Sequence, residues 1–494
     1  MEVERIRVPA PASSLSQQEI VRMVFTSMAG RRLLPKECWS LSSLLHDTVA
    51  PTIEVHPVAD SADSAVLHRL LEDTSRRRIR CLTLDGDFTS IQQRPLSLPP
   101  SLERLELNGF RGELGAAPSG LRELHLYAGF DRGEDIVPHP LLAELYDSAL
   151  DSPDDSAIGS EAAWEFVGEM AEIVKAFLPT LRVLVVCGLS QMVSLQALMT
   201  KLVETPLPRL QVLSLHNWAV PWEDLLLLLS PVLAKVKLEN CLILVLYADI
   251  DTPKYTVPAL PEGLVSLDLD LCFSHVDLWV FGGLPESLRH LVVVMEGISV
   301  RFEAPLPTLL ESFRAETLGS GIHIDMGLLP AGLRKLKLAG AEQQPLDRVP
   351  AGLRVLMLRN YRHPLPQLPD TLVVLVVHEC MHHAVDLPDS LRSLSLYWRP
   401  AFPTPPLPAR WPVHLQRLVY CGESHQSPVP GIEHLPPTLG QLTLNGCEVR
   451  TSLPQMLEEL CLGRQFTQAI DLDNFRGRVL RDCDAFRSDY DLWC

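Results

Sequence analysis

The sequence is short of positive charge. It has 43 Lys+Arg against 61 Asp+Glu, a formal net charge of −18. Phosphates are neutralised by cationic surface, so this deficit predicts no nucleic-acid partner. A long apolar run is also missing. The longest strongly apolar stretch, Leu225 to Val236, is interrupted by Ser230, Pro231 and Lys235 and falls short of the about 20 residues a bilayer span needs. The opening Met1-Glu2-Val3-Glu4-Arg5 is charged and has no apolar segment behind it, so no secretory signal and no membrane association are expected. The 11 cysteines include no C-x-x-C pair, and none of the six asparagines sits in an N-x-[ST] sequon. These absences predict a reducing, intracellular location, cytoplasmic with the nucleus also compatible. No Gly-rich phosphate loop and no Ser-His-Asp grouping stands out, so neither a cofactor nor an enzymatic activity is predicted.

Proline, by contrast, is abundant. There are 41 prolines and only 27 glycines, and the prolines amount to about 8% of the chain where about 5% is usual. They are spread along the chain rather than clustered in a tail, which calls for a structural cause. The cause is a repeat. L-x-x-L-x-L starts at Leu102, Leu121, Leu181, Leu210, Leu264, Leu288, Leu333, Leu353, Leu372, Leu391, Leu415, Leu439 and Leu457, with weaker copies at Leu233 and Leu310 and a further weak one at Ile79. Of the 15 copies from Leu102 onward, twelve have proline three residues before the first leucine and three have it two before. The unit reads L-P-x-x-L-x-x-L-x-L, at a period that marks a leucine-rich repeat.

The alternation L-x-L places two leucines on one face of a short strand and the intervening residues on the other. One repeat cannot bury its leucines alone, whereas stacked repeats share a continuous core. The predicted fold is therefore an α/β leucine-rich repeat solenoid, with a parallel sheet on its concave face and helices and irregular turns on its convex face. The array is expected over 79–466. From Leu333 to Leu391 the copies lie 20, 19 and 19 residues apart, too close for a convex helix. Between Leu121 and Leu264 helices are expected at 160–177, 190–204 and 222–229. An acidic insertion near 145–161 is either a tolerated loop or a docking segment. Residues 1–78 are expected to form a helical N-terminal cap, with a capping box at Ser16–Glu19 leading into Ile20, Met23, Val24 and Met28, and a second helix over 62–75. Residues 467–494 would close the other end.

Two site readings follow. His378-Glu379-Cys380-Met381-His382 matches H-E-x-x-H, but five residues later Pro388 opens the next unit, leaving no room for a zinc-binding helix, so no metal site is assigned. The second reading concerns strand positions two, four and six after the first leucine, which should face outward. In the copies at Leu353, Leu372 and Leu391 these are Val355, Met357, Arg359, Val374, Val376, His378, Ser393, Ser395 and Tyr397, an expected protein-binding patch on the concave face. Elsewhere that face is polar, with Glu106 and His125 early and Asp268 and Asp270 in mid-array. The expected function is a non-enzymatic scaffold for another protein, with the anionic surplus favouring a basic partner. Cys241, Cys272, Cys380 and Cys447 share a phase eight residues after the first leucine and read as structural thiols.

The last copy, Leu453-Pro454-Gln455-Met456-Leu457-Glu458-Glu459-Leu460-Cys461-Leu462-Gly463-Arg464-Gln465-Phe466, resembles the FNIP-type leucine-rich repeat of amoebae and large viruses. That resemblance implies the leucine-rich fold. FNIP-type chains often follow an F-box, and Leu34-Pro35-Lys36-Glu37 resembles the opening of that motif. The resemblance therefore implies an alternative role, a substrate-recognition adaptor of a cullin-type ubiquitin ligase.

Overall fold

The strands that follow the L-P-x-x-L copies begin with a turn that proline helps to build. In the computed structural model, the carbonyl of the proline three residues upstream accepts the N–H of the first leucine in all twelve such copies, from Pro99–Leu102 to Pro454–Leu457, at 3.0–3.2 Å. Where proline lies two residues upstream it takes the second position of the turn instead. Ser230 then supplies the carbonyl to Leu233 at 3.0 Å, with Pro231 between them. Proline suits that second position because its ring already holds the φ a turn requires. Past the turn, one carbonyl per repeat accepts two N–H groups from the next: Arg334 O receives Arg354 and Val355 at 2.9 and 3.0 Å, and Arg354 O receives Val373 and Val374 at 2.8 and 3.0 Å. This bond pair docks each repeat on its neighbour.

The structure describes residues 22–25, 52–55, 80–87, 95–111, 113–127, 173–175, 177, 179–188, 193–194, 208–222, 225–226, 229–244, 254–271, 278–296, 299–318, 322–323, 329–340, 346, 348–361, 363–378, 386–398, 408, 410–422, 431–432, 434–445, 448–449, 452–464, 466 and 475–481. The chain divides into two compact units, Met1–Leu233 and Ala234–Cys494. Each is built around a parallel β-ladder of leucine-rich repeats.

In the first unit the ladder joins Arg22–Phe25, Thr52–Val55, Cys81–Asp87, Arg104–Arg111, Glu123–Tyr127, Val183–Cys187 and Val212–His216. Leu82, Leu105, Leu124, Leu184 and Leu213 form one buried row, and Leu84, Leu107, Leu126, Val186 and Leu215 the next. The register is residue for residue even between Leu124 and Leu184, 60 positions apart. A second small ladder pairs Val193–Ser194 with Trp218 and Ala219. Buried Trp218 donates its indole N–H to Val186 O at 3.1 Å, tying the two ladders together.

In the second unit twelve strands from Lys235–Leu244 to Arg478–Arg481 stack in parallel. A buried row runs Leu267, Leu291, Phe313, Leu336, Leu356, Leu375, Leu394, Leu418, Leu442 and Leu460, one residue per strand. Lys254–Val257, Leu278–Phe281, Ser299–Phe302 and Ile322–His323 form a second parallel ladder in the return connections. The layers meet through aromatics. Phe302 stacks on Phe281 at 5.0 Å and meets Phe313 of the main sheet edge-on at 5.4 Å.

Among the described residues helix is scarce, which corrects part of the expectation from sequence. Arg22–Phe25 is a strand where the capping box predicted helix. Its four residues pair one for one with Thr52–Val55, and ladder hydrogen bonds outweigh a weak local helix preference. Within the segment expected to be helical over 190–204, Val193–Ser194 is strand. Helix is present at 173–175 and 177, with Val174 and Phe177 buried as the amphipathic pattern requires, and at 222 and 225–226. In the second unit the return connections carry short strands. The expected helix over 62–75 and the acidic insertion lie outside the described residues.

One regularity escaped the sequence reading. Seven residues after the first leucine, Asn217, Asn240 and Asn360 have φ of 59°, 51° and 57°, and Gly109 and Gly340 have φ of 55° and 85°. Asn and Gly are the residues that enter the left-handed region most readily. Asn217, Gly340 and Asn360 turn the chain out of the strand at this phase, while Gly109 and Asn240 lie inside the longer strands Arg104–Arg111 and Lys235–Leu244. Asn360 and Gly340 also donate backbone N–H bonds to His378 O and Arg359 O at 3.0 and 3.2 Å, continuing the stacking beyond the strand.

Candidate functional site

The face opposite the leucine rows is set by the residues between the leucines, and the strict register aligns them into cross-strand rows. In the second unit one row runs Lys237, Asp268, Val292, Arg314, Lys337, Met357, Val376, Ser395 and Val419. The next runs Asp270, Val294, Glu316, Ala339, Arg359, His378, Tyr397 and Cys421. The face is thus charged at one end and apolar at the other.

At the charged end most groups are matched. Lys237 Nζ lies 2.6 Å from Glu239. Burial disfavours the lysine's charge, and the bond to Glu239 together with the charges of Glu239, Asp268 and Asp270 outweighs it, so its pKa is raised. Glu316 is nearly buried and is held by Arg314 at 3.0 Å and Arg359 at 3.6 Å. Asp268 and Asp270 are different. Both are half-buried, and neither has an ion pair or hydrogen bond among the described residues. Burial beside Val292 and Val294 pushes both carboxyls up, Asp270 to about 6, against the opposing pull of Lys237 and then Arg314 on Asp268 and of Arg314 on Asp270. Loss of hydration raises an acid's pKa because the charged form needs water more.

At the apolar end the structure corrects an expectation. Met357, Val376 and Tyr397 were expected to be outward contacts, yet they are 3%, 0% and 1% exposed. With Ala339, Val419 and Cys421 they form a second buried cluster, against which Val355 and Val374 pack while half-buried themselves. Ser395 is fully buried in the same row, and its hydroxyl meets no hydrogen-bond partner among the described residues. His378 stacks on Tyr397 at 4.0 Å between ring centres. Alternation puts these side chains opposite the leucines, but register brings apolar neighbours together on both sides, and the sheet is buried on both faces here. Arg359 and Ser393 retain partial access.

In the first unit the corresponding face is polar. Glu106 accepts from Thr83 Oγ1 at 2.9 Å and is ion-paired with Arg104. His125 sits 3.4 Å from the Tyr127 hydroxyl and 3.9 Å from Glu123, and burial followed by the charge of Arg104 lowers its pKa. Ser214 Oγ is 2.8 Å from His216 Nε2.

Residues 379–385, with Glu379 and His382 of the H-E-x-x-H match, lie outside the described residues, as do Cys272, Cys380, Cys447 and the F-box-like 34–45. Cys241 is buried next to Asn240, with Sγ 3.5 Å from Glu239 O. Among the described residues no three of His, Cys, Asp and Glu come together as a metal site, and no helix is long and apolar enough to cross a membrane.

No protein-family model matches the chain, and no curated protein does. Solved structures do. One is CroV588, described as a novel circular leucine-rich repeat protein, at 15% identity and a TM-score of 0.41, covering 87% of this chain and 64% of that one. Another is YopM from Yersinia enterocolitica WA-314, at 15% and 0.42, covering 82% of each. A third is TLR13 in complex with ssRNA13, at 14% and 0.44, covering 87% of this chain and 67% of that one. This chain therefore spans less than two thirds of CroV588. The leucine-rich repeat assignment itself rests on the chain's own repeats and ladders.

Proposed function

We propose that the protein is a non-enzymatic scaffold that binds another protein through the outward face of its leucine-rich sheet, around Asp268 and Asp270, and that the partner presents basic side chains there. The observation that carries this reading is a pair of half-buried carboxylates that Lys237 and Arg314 attract from a distance but that form no ion pair or hydrogen bond among the described residues. An acid held in a desolvated place and left unpaired weakens the fold, and such groups concentrate where they serve a function. A partner lysine or arginine would supply the missing charge in a site already stripped of water, where ion pairing is strong. The net charge of −18 would speed the encounter with a cationic surface. Repeat arrays suit this task because they present a long, regular surface.

The same proposal takes 1–78 and 467–494 as end segments flanking the repeats of 79–466, in a reducing, cytoplasmic setting. It includes the FNIP-type kinship, supported by the closing turn in which Phe466 N–H bonds Gly463 O at 3.0 Å. The test is parallel affinity purification with the wild type and with Asp268→Asn/Asp270→Asn, followed by association kinetics for the captured protein at two salt concentrations. The expected result is a partner whose on-rate falls in the variant, most at low salt. A partner bound equally fast by both proteins refutes the reading.

A further inference from the structure

The start of the strands in the second unit carries charge of the opposite sign to the chain as a whole. Two cross-strand rows meet there. The residue immediately after the first leucine gives Arg289, Glu311, Arg334, Arg354 and Val373, linked by the paired N–H bonds to each carbonyl. The residue after that gives His290, Ser312, Lys335, Val355 and Val374. Between them lies a groove of about 420 Å³.

Its chemistry is specific. Arg334, Lys335 and Arg354 are exposed, and none of them has an ion pair among the described residues. The acid in the lining, Glu311, is already engaged by Arg289 at 2.7 Å. The floor is apolar: Val355 and Val374 rest on the buried cluster beneath, and Val373 is half-buried beside them. The lining crosses five adjacent strands, a length of roughly 19 Å at about 4.8 Å per strand. An extended peptide of about six residues fills that length.

We propose that this groove binds an extended acidic segment of a partner protein, with aspartate or glutamate carboxylates on Arg334, Lys335 and Arg354 and apolar side chains on the valine floor. This deepens the scaffold reading and rests on it. Arginine grips carboxylates in two-pronged fashion, and paired charge-assisted bonds of that kind fix a ligand's position. A nucleic acid fits less well. No Phe, Tyr or Trp lines the groove to stack a base, His290 being its ring, and the chain's overall charge of −18 repels a continuous polyanion.

The experiment uses the full chain and three fluorescent probes followed by anisotropy: a Glu-Val hexapeptide, a Lys-Val hexapeptide and a short single-stranded oligonucleotide. The Glu-Val peptide is expected to bind, to weaken with salt and to lose about tenfold or more in affinity in Arg334→Glu/Arg354→Glu. These side chains are exposed, so the variant should keep the wild-type urea midpoint, and Arg334→Gln/Arg354→Gln gives a milder check. Binding should persist in Asp268→Asn/Asp270→Asn. Failure of the Glu-Val peptide, unchanged binding in the Arg334/Arg354 variants, or tighter binding of the oligonucleotide overturns the proposal. If the Lys-Val peptide still binds in an Asp268/Asp270-dependent manner, the groove proposal alone has failed; if neither peptide binds, both readings have.

Discussion

Replacing Asp270 by asparagine should make the protein more stable at neutral pH, although the substitution removes a charge that faces an arginine. The folded structure lifts this carboxyl from 3.8 to about 6, chiefly through burial. A shift of roughly two units corresponds to about 3 kcal/mol between the ionised and protonated forms. Asp270 keeps some water, which reduces the usable part to about 1–2 kcal/mol. The sign follows from the direction of the shift. The fold favours the protonated acid, so the associated stability is fully present below about 3.8 and is lost as pH rises through about 6. At pH 7.5 the wild type therefore holds an ionised Asp270 at a penalty that Asp270→Asn does not carry. Urea unfolding followed by tryptophan fluorescence, with buried Trp279 reporting on the second unit, measures the difference. It should be about 1–2 kcal/mol in favour of the variant at pH 7.5 and shrink toward zero near pH 4. Carboxylates remote from Asp270 titrate alike in both proteins and cancel. A variant that is no more stable at pH 7.5, or an advantage that persists at pH 4, would refute the reasoning. Asp268 is raised by the same cause, and the two carboxylates repel, so the double variant should gain less than the sum of the single ones.

Two further outcomes test the fold. Met357→Ala should lose roughly 2–4 kcal/mol in urea unfolding, as for a buried methionine, whereas an outward methionine would change by about 0.5 kcal/mol or less. Asn360 has φ of 57°, so Asn360→Ala should lose about 1 kcal/mol while Asn360→Gly stays within a few tenths; equal losses in both would point away from backbone strain.

Much of the fold was legible because leucine-rich repeats write their geometry locally. The L-x-L alternation and the proline phase are visible within ten residues, and they mark the strand starts and the buried rows. Helices were over-read for a related reason. Ser16–Glu19 is a sound capping signal, but whether Arg22–Phe25 stays helical depends on Thr52–Val55, a partner about thirty residues away. The site was only partly legible. Asp268 and Asp270 stood out as charges at strand positions, but that no cation pairs with them among the described residues is a property of the folded face. Met357, Val376 and Val419 look outward one strand at a time, and only the register reveals that they share a row and bury one another. The cations at the strand starts escaped notice for the same reason. Arg334 and Arg354 are unremarkable surface residues until the copies are stacked. The left-handed Asn and Gly phase could have been found by aligning the copies two positions past the last leucine row.

The docking of each repeat by its own turn and its own pair of hydrogen bonds has a consequence for how the chain can change. Strands whose first leucines lie 60 residues apart keep the same register as strands 19 apart. Closing the longer excursion costs about 1 kcal/mol more in chain entropy, and the rungs do not sense it. Insertions and deletions in the connections are therefore nearly neutral, while a single-residue slip inside L-P-x-x-L-x-x-L-x-L turns the leucines to the wrong face. Repeat length can drift under mutation while the block cannot, and a foreign sequence grafted into a connection should leave the neighbouring strands where they are.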